Sequence, residues 1–263
     1  MKELRFAIYS IKKNLESSAE LRTSFVTNVI GMAINNTAFI IIWIFFVKSV
    51  GVVNGWTALD IIALLGFNAL AYGIVFSGGA GILWLPDYVA SGGFDRYLLS
   101  PKNVLLRLCT SRFGVSSLGD VAFGVICLAT YGILIRANLL QIALVILLIP
   151  IASLMLFAAS VAAQSASFLF TDPGSVTRGL LELFITPGLF HGGAFQGATR
   201  FVFTFLVPSL VVGALPVEIV RDVSFPKLVL VAGVSAIWFL LSLSLFRLGI
   251  RKYESSNLMT FGS

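Results

Sequence analysis

Residues 139–163, LLQIALVILLIPIASLMLFAASVAA, contain no charged side chain. A helix of about 20 apolar residues is long enough to cross the hydrocarbon core of a bilayer, so this stretch predicts a membrane-spanning helix. The whole chain has the same character, because 58% of its 263 residues are hydrophobic and only 11% are charged. Soluble domains carry about 25% charged residues. We therefore expect an all-α polytopic membrane protein with one integral domain over residues 1–263.

Five further apolar segments have the length of a membrane span. They cover residues 25–47, about 57–81, 104–135, about 176–195, and 227–248. The second begins at Thr57, which together with Asp60 has the pattern of a capping box. Pro150 predicts a kink in the fourth span, and Pro187 interrupts the fifth. With the stretch quoted above, these segments predict six transmembrane helices.

Residues 201–215 are also apolar, but they are few, contain Pro208 and end before Pro216. They could form a seventh span, or enter the membrane and return to the same side. Basic residues favour the cytoplasmic side, and six spans place 13 of the 18 Lys and Arg residues there, against 12 for seven spans. Broken helices are tolerated at membrane depth where protein buries them. We predict an outer re-entrant hairpin over 196–226, between the fifth and sixth spans, and cytoplasmic N- and C-termini.

Residues 1–22 have the spacing of an amphipathic helix. Leu4, Ile8, Ile11 and Leu15 share one face, and charged residues occupy the other. Such a helix lies flat in the membrane interface, although the same pattern also fits an ordinary solvated helix. We favour the interfacial helix, because a membrane span follows at once and Lys predominates on the polar face.

The segment 82–103 is the largest cytoplasmic loop in this topology, and its sequence predicts a folded loop. Pro86 and Asp87 suit the first turn of a short helix, and Gly92 and Gly93 would end or bend it. A second short apolar face follows, formed by Phe94, Tyr97, Leu98 and Leu99. Pro101 stops this second segment. A folded loop with aromatic groups and an arginine is suited to docking, and a connector packed on its own helices is an equal alternative.

Two polar residues within the apolar segments are candidates for a transport pathway. Asp120 lies inside the third predicted span, where a carboxylate is costly and points to a functional site. A structural pair with Arg112 or with a neighbouring helix is the alternative. Asn35, in the first predicted span, is the second candidate, and interhelical hydrogen bonding would explain it equally well. Arg178 and Glu182 have the i, i+4 spacing of a local ion pair.

Enzymatic and metal-dependent functions find little support in the sequence. The single histidine, His191, cannot form a metal site without partners, so we expect no metal site. A serine hydrolase needs a histidine beside its nucleophile, and Ser77 and His191 fall at opposite membrane faces in this topology. The formal net charge of +6 comes from basic residues between apolar runs. It therefore predicts an orientation in the bilayer and no nucleic-acid partner.

The run GGFDRYLLSP at 92–101 resembles the cytoplasmic-loop signature of permease subunits of ATP-binding-cassette (ABC) exporters, in the type-2, six-helix class. Further segments agree with that class in their order and spacing along nearly the whole chain. They are GWT at 55–57, SRF at 111–113, LGD at 118–120, Thr204, VP at 207–208, and RKYESS at 251–256.

The resemblance implies a role for each region. Residues 1–22 would be the interfacial elbow helix, and 196–226 would form the outer re-entrant helices. Residues 82–103, between the second and third spans, would hold the coupling helix that docks into a separate ABC ATPase subunit. The docking contacts would come from Asp87, Tyr88, Gly92, Gly93, Phe94, Asp95, Arg96, Tyr97, Leu98 and Pro101.

The chain lacks the GxxxxGK[ST] phosphate-binding loop, so we expect no ATPase site and no cofactor of its own. Two copies of the ATPase subunit would bind ATP and Mg. A second permease chain, either the same or a homologous one, would complete the pathway. The resemblance also implies export across a bacterial plasma (inner) membrane. A secondary transporter and a non-transporting membrane scaffold remain the alternatives, and the apolar composition leaves the substrate open.

Overall fold

The computed structural model describes residues 2–50 and 54–253, so the predicted motif at 251–256 lies partly outside the described residues. The α-helices in these ranges are α1 (Lys2–Glu20), α2 (Arg22–Val50), α3 (Ala58–Gly79), α4 (Leu85–Ala90), α5 (Asp95–Leu98), α6 (Val104–Cys109), α7 (Ser117–Leu134), α8 (Leu139–Ser165), α9 (Pro173–Gly188), α10 (Gly197–Phe201), α11 (Ala214–Asp222) and α12 (Phe225–Lys252). A π-helical turn covers Val202–Leu206. The all-α prediction is confirmed for this part of the chain.

Five helical stretches among the described residues are long and apolar enough to cross a membrane. They are Arg22–Trp43, Ala58–Ala90, Ser117–Leu134, Leu139–Phe168 and Phe225–Lys252, and they match the first, second, third, fourth and sixth predicted spans. The protein is therefore a multi-pass membrane protein. The predicted fifth span is not among them, because α9 has 16 residues and ends directly after Pro187. At 1.5 Å per residue α9 is about 24 Å long, less than the ~30 Å hydrocarbon core. Helix length alone does not confirm six spans.

Local capping fixes where α3 and α8 begin. The Thr57 hydroxyl accepts a hydrogen bond from the Asp60 amide, and the Asp60 carboxylate accepts one from the Thr57 amide at 2.9 Å, which confirms the predicted capping box. Asn138 and Gln141 form the same reciprocal pair at the start of α8, at 2.9 and 3.0 Å. Each box satisfies backbone donors that a helix start would otherwise leave unpaired.

The prediction of one continuous third span over 104–135 was wrong. α6 ends at Cys109, and α7 begins only at Ser117. Between them the Gly114 amide donates to the carbonyl oxygen of Phe76 in α3 at 3.1 Å. A Cβ at Gly114 would lie 2.5 Å from that oxygen, so the turn depends on glycine. The hydropathy of residues 104–135 does not reveal this break in the helix, because the break is caused by a contact with a distant helix.

The centre of the bundle is α3, which packs against α7 and α8, while α12 packs along α8. The contact between α3 and α7 brings the two backbones together. A Cβ at Gly124 of α7 would lie 2.6 Å from the backbone nitrogen of Leu70 in α3. Small residues at helix contacts permit this close approach in membrane proteins. By contrast, α2 stands at the outside, and no residue of its apolar window Arg22–Trp43 is buried.

The two ends of the bundle can be told apart by side-chain contacts. At the end that we call the loop end, Phe94 of the 82–103 loop meets Phe168 after α8 and Tyr253 after α12, at ring distances of 5.1 and 5.2 Å. At the opposite end, which we call the hairpin end, the Arg221 guanidinium lies 3.5 Å from the Asp60 carboxylate at the start of α3.

Residues 197–222 form a helical hairpin between α9 and α12. α10 and the π-helical turn lead inward, and α11 returns to the hairpin end. Near the tip of the hairpin, the Trp238 indole of α12 donates to the Phe205 carbonyl at 2.9 Å. Trp238 lies about 20 Å along α12 from its first residue, Phe225. The hairpin therefore reaches well into the bundle before it turns back.

The predicted N-terminal helix is present as α1, which packs beside the loop end. Its Asn14 amide donates to the Thr110 carbonyl at 2.8 Å, and Ile11 packs over Gly78. Ile8 and Tyr9 stay about 60% exposed. Ile8, although predicted on the apolar face, thus points away from the rest of the chain.

Candidate functional site

The 82–103 loop is folded into two short helices, as its sequence predicts. Pro86 lies in the first turn of α4, and the chain reverses direction at Gly92, whose φ of +69° is in the left-handed region that favours glycine. The Phe94 amide then donates to the Tyr88 carbonyl at 2.9 Å. α5 follows at once, with Asp95 in its first turn, where a carboxylate favours the helix dipole.

Phe94 and Tyr97 are buried inside the loop, with 0% and 4% of their surface exposed. Their rings lie 6.0 Å apart, and Phe94 also packs against Phe168 and Tyr253. We expected both residues to supply docking area to a partner. In this structure both side chains are instead buried within the chain: Phe94 fastens the loop to the ends of α8 and α12, and Tyr97 packs on Phe94 and Tyr88.

Three arginines stack on the aromatic residues of the loop. The Arg96 guanidinium lies 4.6 Å from the centre of the Tyr88 ring, and Arg107 donates to the Tyr97 carbonyl at 3.0 Å. Arg112 lies 3.7 Å over the Trp84 ring and donates to the Tyr88 hydroxyl at 3.1 Å. Such cation–π and hydrogen-bonded contacts stabilise the folded loop.

Of the other predicted docking residues, four lie exposed at the loop end: Asp87, Arg96, Leu98 and Pro101. Tyr88, Gly93 and Asp95 are half-buried, and Gly92 is buried. The most exposed apolar side chain beside them is Leu99, which is 87% exposed. Leu99 was not among our predicted docking residues. The two consecutive leucines before SPK at 100–102 nevertheless indicate that one apolar side chain faces outward.

A cavity of about 300 Å³ opens between α2, α3, α7, α9 and the hairpin. Both predicted pathway residues, Asn35 and Asp120, line it, as do Asn36, Asn68 and Ser209. The structure thus brings the two candidates together from helices that are far apart in the sequence. The rest of the lining is mostly apolar and aromatic.

Asp120 is buried, with 2% of its surface exposed. One carboxylate oxygen accepts a hydrogen bond from the Asn36 side chain of α2 at 2.7 Å, and the other oxygen has no partner within the described residues. The pairing with Arg112 that we considered was wrong, because Arg112 is held by Tyr88 and Trp84 at the loop end. The hydrogen bond that Asp120 does make is to a neighbouring helix, α2.

Asn68 and Ser209 are polar cavity residues that sequence reasoning missed. The Asn68 amide donates to the Leu64 carbonyl and to the Gly188 carbonyl at the end of α9, at 2.8 and 3.0 Å. The Ser209 hydroxyl is buried and has no partner among the described residues. Each of these two residues is a polar side chain within an apolar stretch of the sequence, and that pattern could have indicated a cavity-lining position.

An ion network ties the hairpin to its neighbours. The Glu218 carboxylate is buried in α11 and pairs with Arg200 of α10 at 2.7 Å and with Lys227 of α12 at 2.8 Å. Arg221 pairs with Asp222 at 3.1 Å and with Asp60 of α3 at 3.5 Å. Burial alone would raise the pKa of Asp222, but hydrogen bonds from Arg221 and Lys227 outweigh it, and this pKa is lowered.

Other predicted polar contacts turn out differently. Arg178 and Glu182 are both exposed and form no ion pair within 4.0 Å in the described part of α9. His191 is buried at the hairpin end against Trp56, with the ring centres 6.1 Å apart. Among residues 2–50 and 54–253 no three acidic, histidine or cysteine side chains converge in a way that would hold a metal ion.

The sequence also matches a known protein family. The sequence model of the ABC-2 family transporter proteins matches residues 33–257, which is most of the chain. No curated protein and no solved structure matches significantly. Because the match covers the motifs that carry the resemblance, from GWT at 55–57 to RKYESS at 251–256, that resemblance is confirmed. The chain belongs to the ABC-2 family of transporter proteins and is an ABC-2 type permease subunit, the membrane component that in this family associates with a separate ABC ATPase.

Proposed function

We propose that this chain is the permease subunit of an ATP-driven exporter in a bacterial plasma membrane. Two such chains, identical or homologous, would enclose the pathway, and two ATPase subunits would bind at the loop end. The observation that carries this proposal is the anchoring of the 82–103 loop by Phe94 to the ends of α8 and α12. A partner that moves the loop would move those two helices with it.

The loop end is the cytoplasmic side in this proposal. Its exposed surface combines the charges of Asp87 and Arg96 with the apolar side chains of Leu98 and Leu99. Exposed charges set orientation and association rate, while an apolar side chain that becomes buried supplies binding energy. The stacked arginines stabilise the folded form of this surface, which would reduce the ordering needed when a partner binds.

The chain crosses the membrane six times if α9 and the residues that follow it form the fifth crossing. α9 starts next to Phe168 at the loop end, and His191 packs on Trp56 at the hairpin end. The chain therefore travels the height of the bundle between residues 173 and 191. In this topology the hairpin at 197–222 is re-entrant from the outer side, and both termini lie in the cytoplasm.

The exposed side chains of α1 and α2 support two further parts of the proposal. The outward-facing Ile8 and Tyr9 suit an elbow helix lying in the inner membrane interface. The apolar window of α2 has no buried residue, and it flanks the cavity that contains Asn35 and Asp120. A second permease packed on α2 would turn this side-facing cavity toward the centre of a dimer.

Transport and ATPase coupling can be tested together with the double variant Asp95→Ala/Arg96→Ala. We expect it to insert normally, but to co-purify less ATPase and to lose substrate-stimulated ATP hydrolysis in proteoliposomes. The matched control is Lys12→Ala/Glu16→Ala, which removes an exposed charge pair from α1 on the same side. If both double variants co-purify the same amount of ATPase and retain the same substrate-stimulated ATP hydrolysis, Asp95 and Arg96 do not belong to the docking surface.

A further inference from the structure

We propose that the cavity around Asp120 binds a cationic amphiphile, that is, a protonated amine carried on an apolar body. This inference deepens the proposed function, since it names a substrate class for the pathway. The binding itself lies within one chain and does not depend on the ATPase.

The first argument is the missing partner of a buried carboxylate. Asp120 is 2% exposed, and Asn36 satisfies only one of its two oxygens. No Lys or Arg side chain of the described residues lies within 4.0 Å of it. A buried carboxylate without a full set of donors is unfavourable in its charged form, and either a proton or a hydrogen-bonded cation relieves it. An ammonium group in the cavity would provide both the donors and the charge.

The second argument is the character of the lining. Ser209, 1% exposed, also presents an unpartnered hydroxyl, which can accept a further N–H. Four aromatic rings line the same cavity: Phe39, Tyr72, Phe123 and Phe184. Aromatic faces attract cations and also pack against apolar chains. The cavity thus offers one anionic point in an aromatic and aliphatic surrounding.

The same lining argues against anionic ligands. Its described members include neither Lys nor Arg, so a phosphate or carboxylate would be buried without a countercharge. A zwitterionic phospholipid headgroup meets the same obstacle. The volume of about 300 Å³ is at the lower end for ligand pockets, which favours one headgroup with the adjoining part of its chain.

The test compares two probes on the purified full-length chain in nanodiscs of zwitterionic lipid, without any ATPase. One probe is a fluorophore-tagged decylamine, and the other is the decanol that differs only in the terminal group. After correction for partition into protein-free discs, we expect at least tenfold tighter binding of the amine. Asp120→Asn should abolish this preference. The control Glu182→Gln removes an exposed carboxylate that lies outside the cavity lining and should keep the preference.

Equal affinity of the wild type for both probes would overturn the inference without any variant. An undiminished preference in Asp120→Asn would do the same. If Asp120→Asn does not fold, Asn35→Trp takes its place, because Asn35 is exposed and lines the cavity. A tryptophan there should block the site and reduce amine binding at least tenfold. Amine binding by a chain that never recruits an ATPase would overturn the proposed function and leave this site intact.

Discussion

The rings of Phe94 and Phe168 lie 5.1 Å apart and meet edge to face at 65°. Phe94 belongs to the loop at the end of the bundle, and Phe168 closes the turn after α8. Tyr253, directly after α12, completes the contact at 5.2 Å from Phe94. In the proposed function, a rigid-body shift of the loop would be transmitted through these rings to two long helices, which is the kind of motion that couples a soluble partner to a membrane pathway.

Replacing Phe94 with alanine should remove this connection. Phe94 is fully buried, and Phe→Ala in a core costs about 3 kcal/mol or more. We expect a lower temperature of unfolding in detergent and faster proteolysis within 82–103. Phe170→Ala is the control, since Phe170 is at the same end but 50% exposed. Wild-type stability in Phe94→Ala would contradict the anchoring role.

Replacing Leu99 with aspartate should affect association and leave folding unchanged. Leu99 is 87% exposed, so the free chain loses no packing. Burying an aspartate at the docking surface should weaken ATPase binding at least tenfold, or about 1.4 kcal/mol. Quantitative pull-down with the ATPase measures this. Leu139→Asp, 84% exposed at the hairpin end, should bind normally. A similar loss in both variants would place the docking surface elsewhere.

Replacing Glu218 with glutamine should loosen the hairpin. Arg200 and Lys227 would each lose the buried carboxylate that they share. Because both cations are about one-third exposed, we expect a loss of about 2 kcal/mol, between the values for buried and surface pairs. Thermal unfolding followed by tryptophan fluorescence reports it. Asp222→Asn, at a more exposed carboxylate, should cost less. A larger loss of stability in Asp222→Asn than in Glu218→Gln would refute a central role for Glu218.

The ion network should also make stability depend on pH. The pKa of Asp222 is lowered in the folded chain because hydrogen bonds from Arg221 and Lys227 outweigh its burial. A folded pKa below the unfolded one contributes stability that is present above the unfolded pKa. That stability is lost as the pH falls through the folded value. When unfolding is measured from pH 7 downward, the free energy of unfolding should fall less in Asp222→Asn than in the wild type. Identical dependence on pH in the two proteins would contradict this.

Local patterns were enough to predict most helices. The capping pair Thr57 and Asp60 lies within one turn, so its sequence alone identifies the start of α3. The turn at Gly92 follows equally from local conformation, because glycine adopts a positive φ without steric cost. The amphipathic spacing in 1–22 likewise predicted α1 correctly.

Contacts between distant residues were beyond this reasoning. The break before α7 depends on Gly114 meeting Phe76, and a hydropathy pattern carries no information on that pair. Asp120 was recognised as unusual, but its partner Asn36 lies 84 residues earlier, and Arg112 was nearer in sequence. The burial of Phe94 and Tyr97 also could not be foreseen, since aromatic residues in a loop serve equally as anchors or as contact surface.

The most direct test is mild-detergent purification of this chain from its native host, followed by mass spectrometry of the complex. We expect a stoichiometric soluble subunit that carries a GxxxxGK[ST] phosphate-binding loop, and we expect it to be lost from Leu99→Asp. A second membrane chain in the same complex would identify the pairing of permeases. A stable chain that recovers no ATPase from its host would contradict the proposal of an ATP-driven exporter.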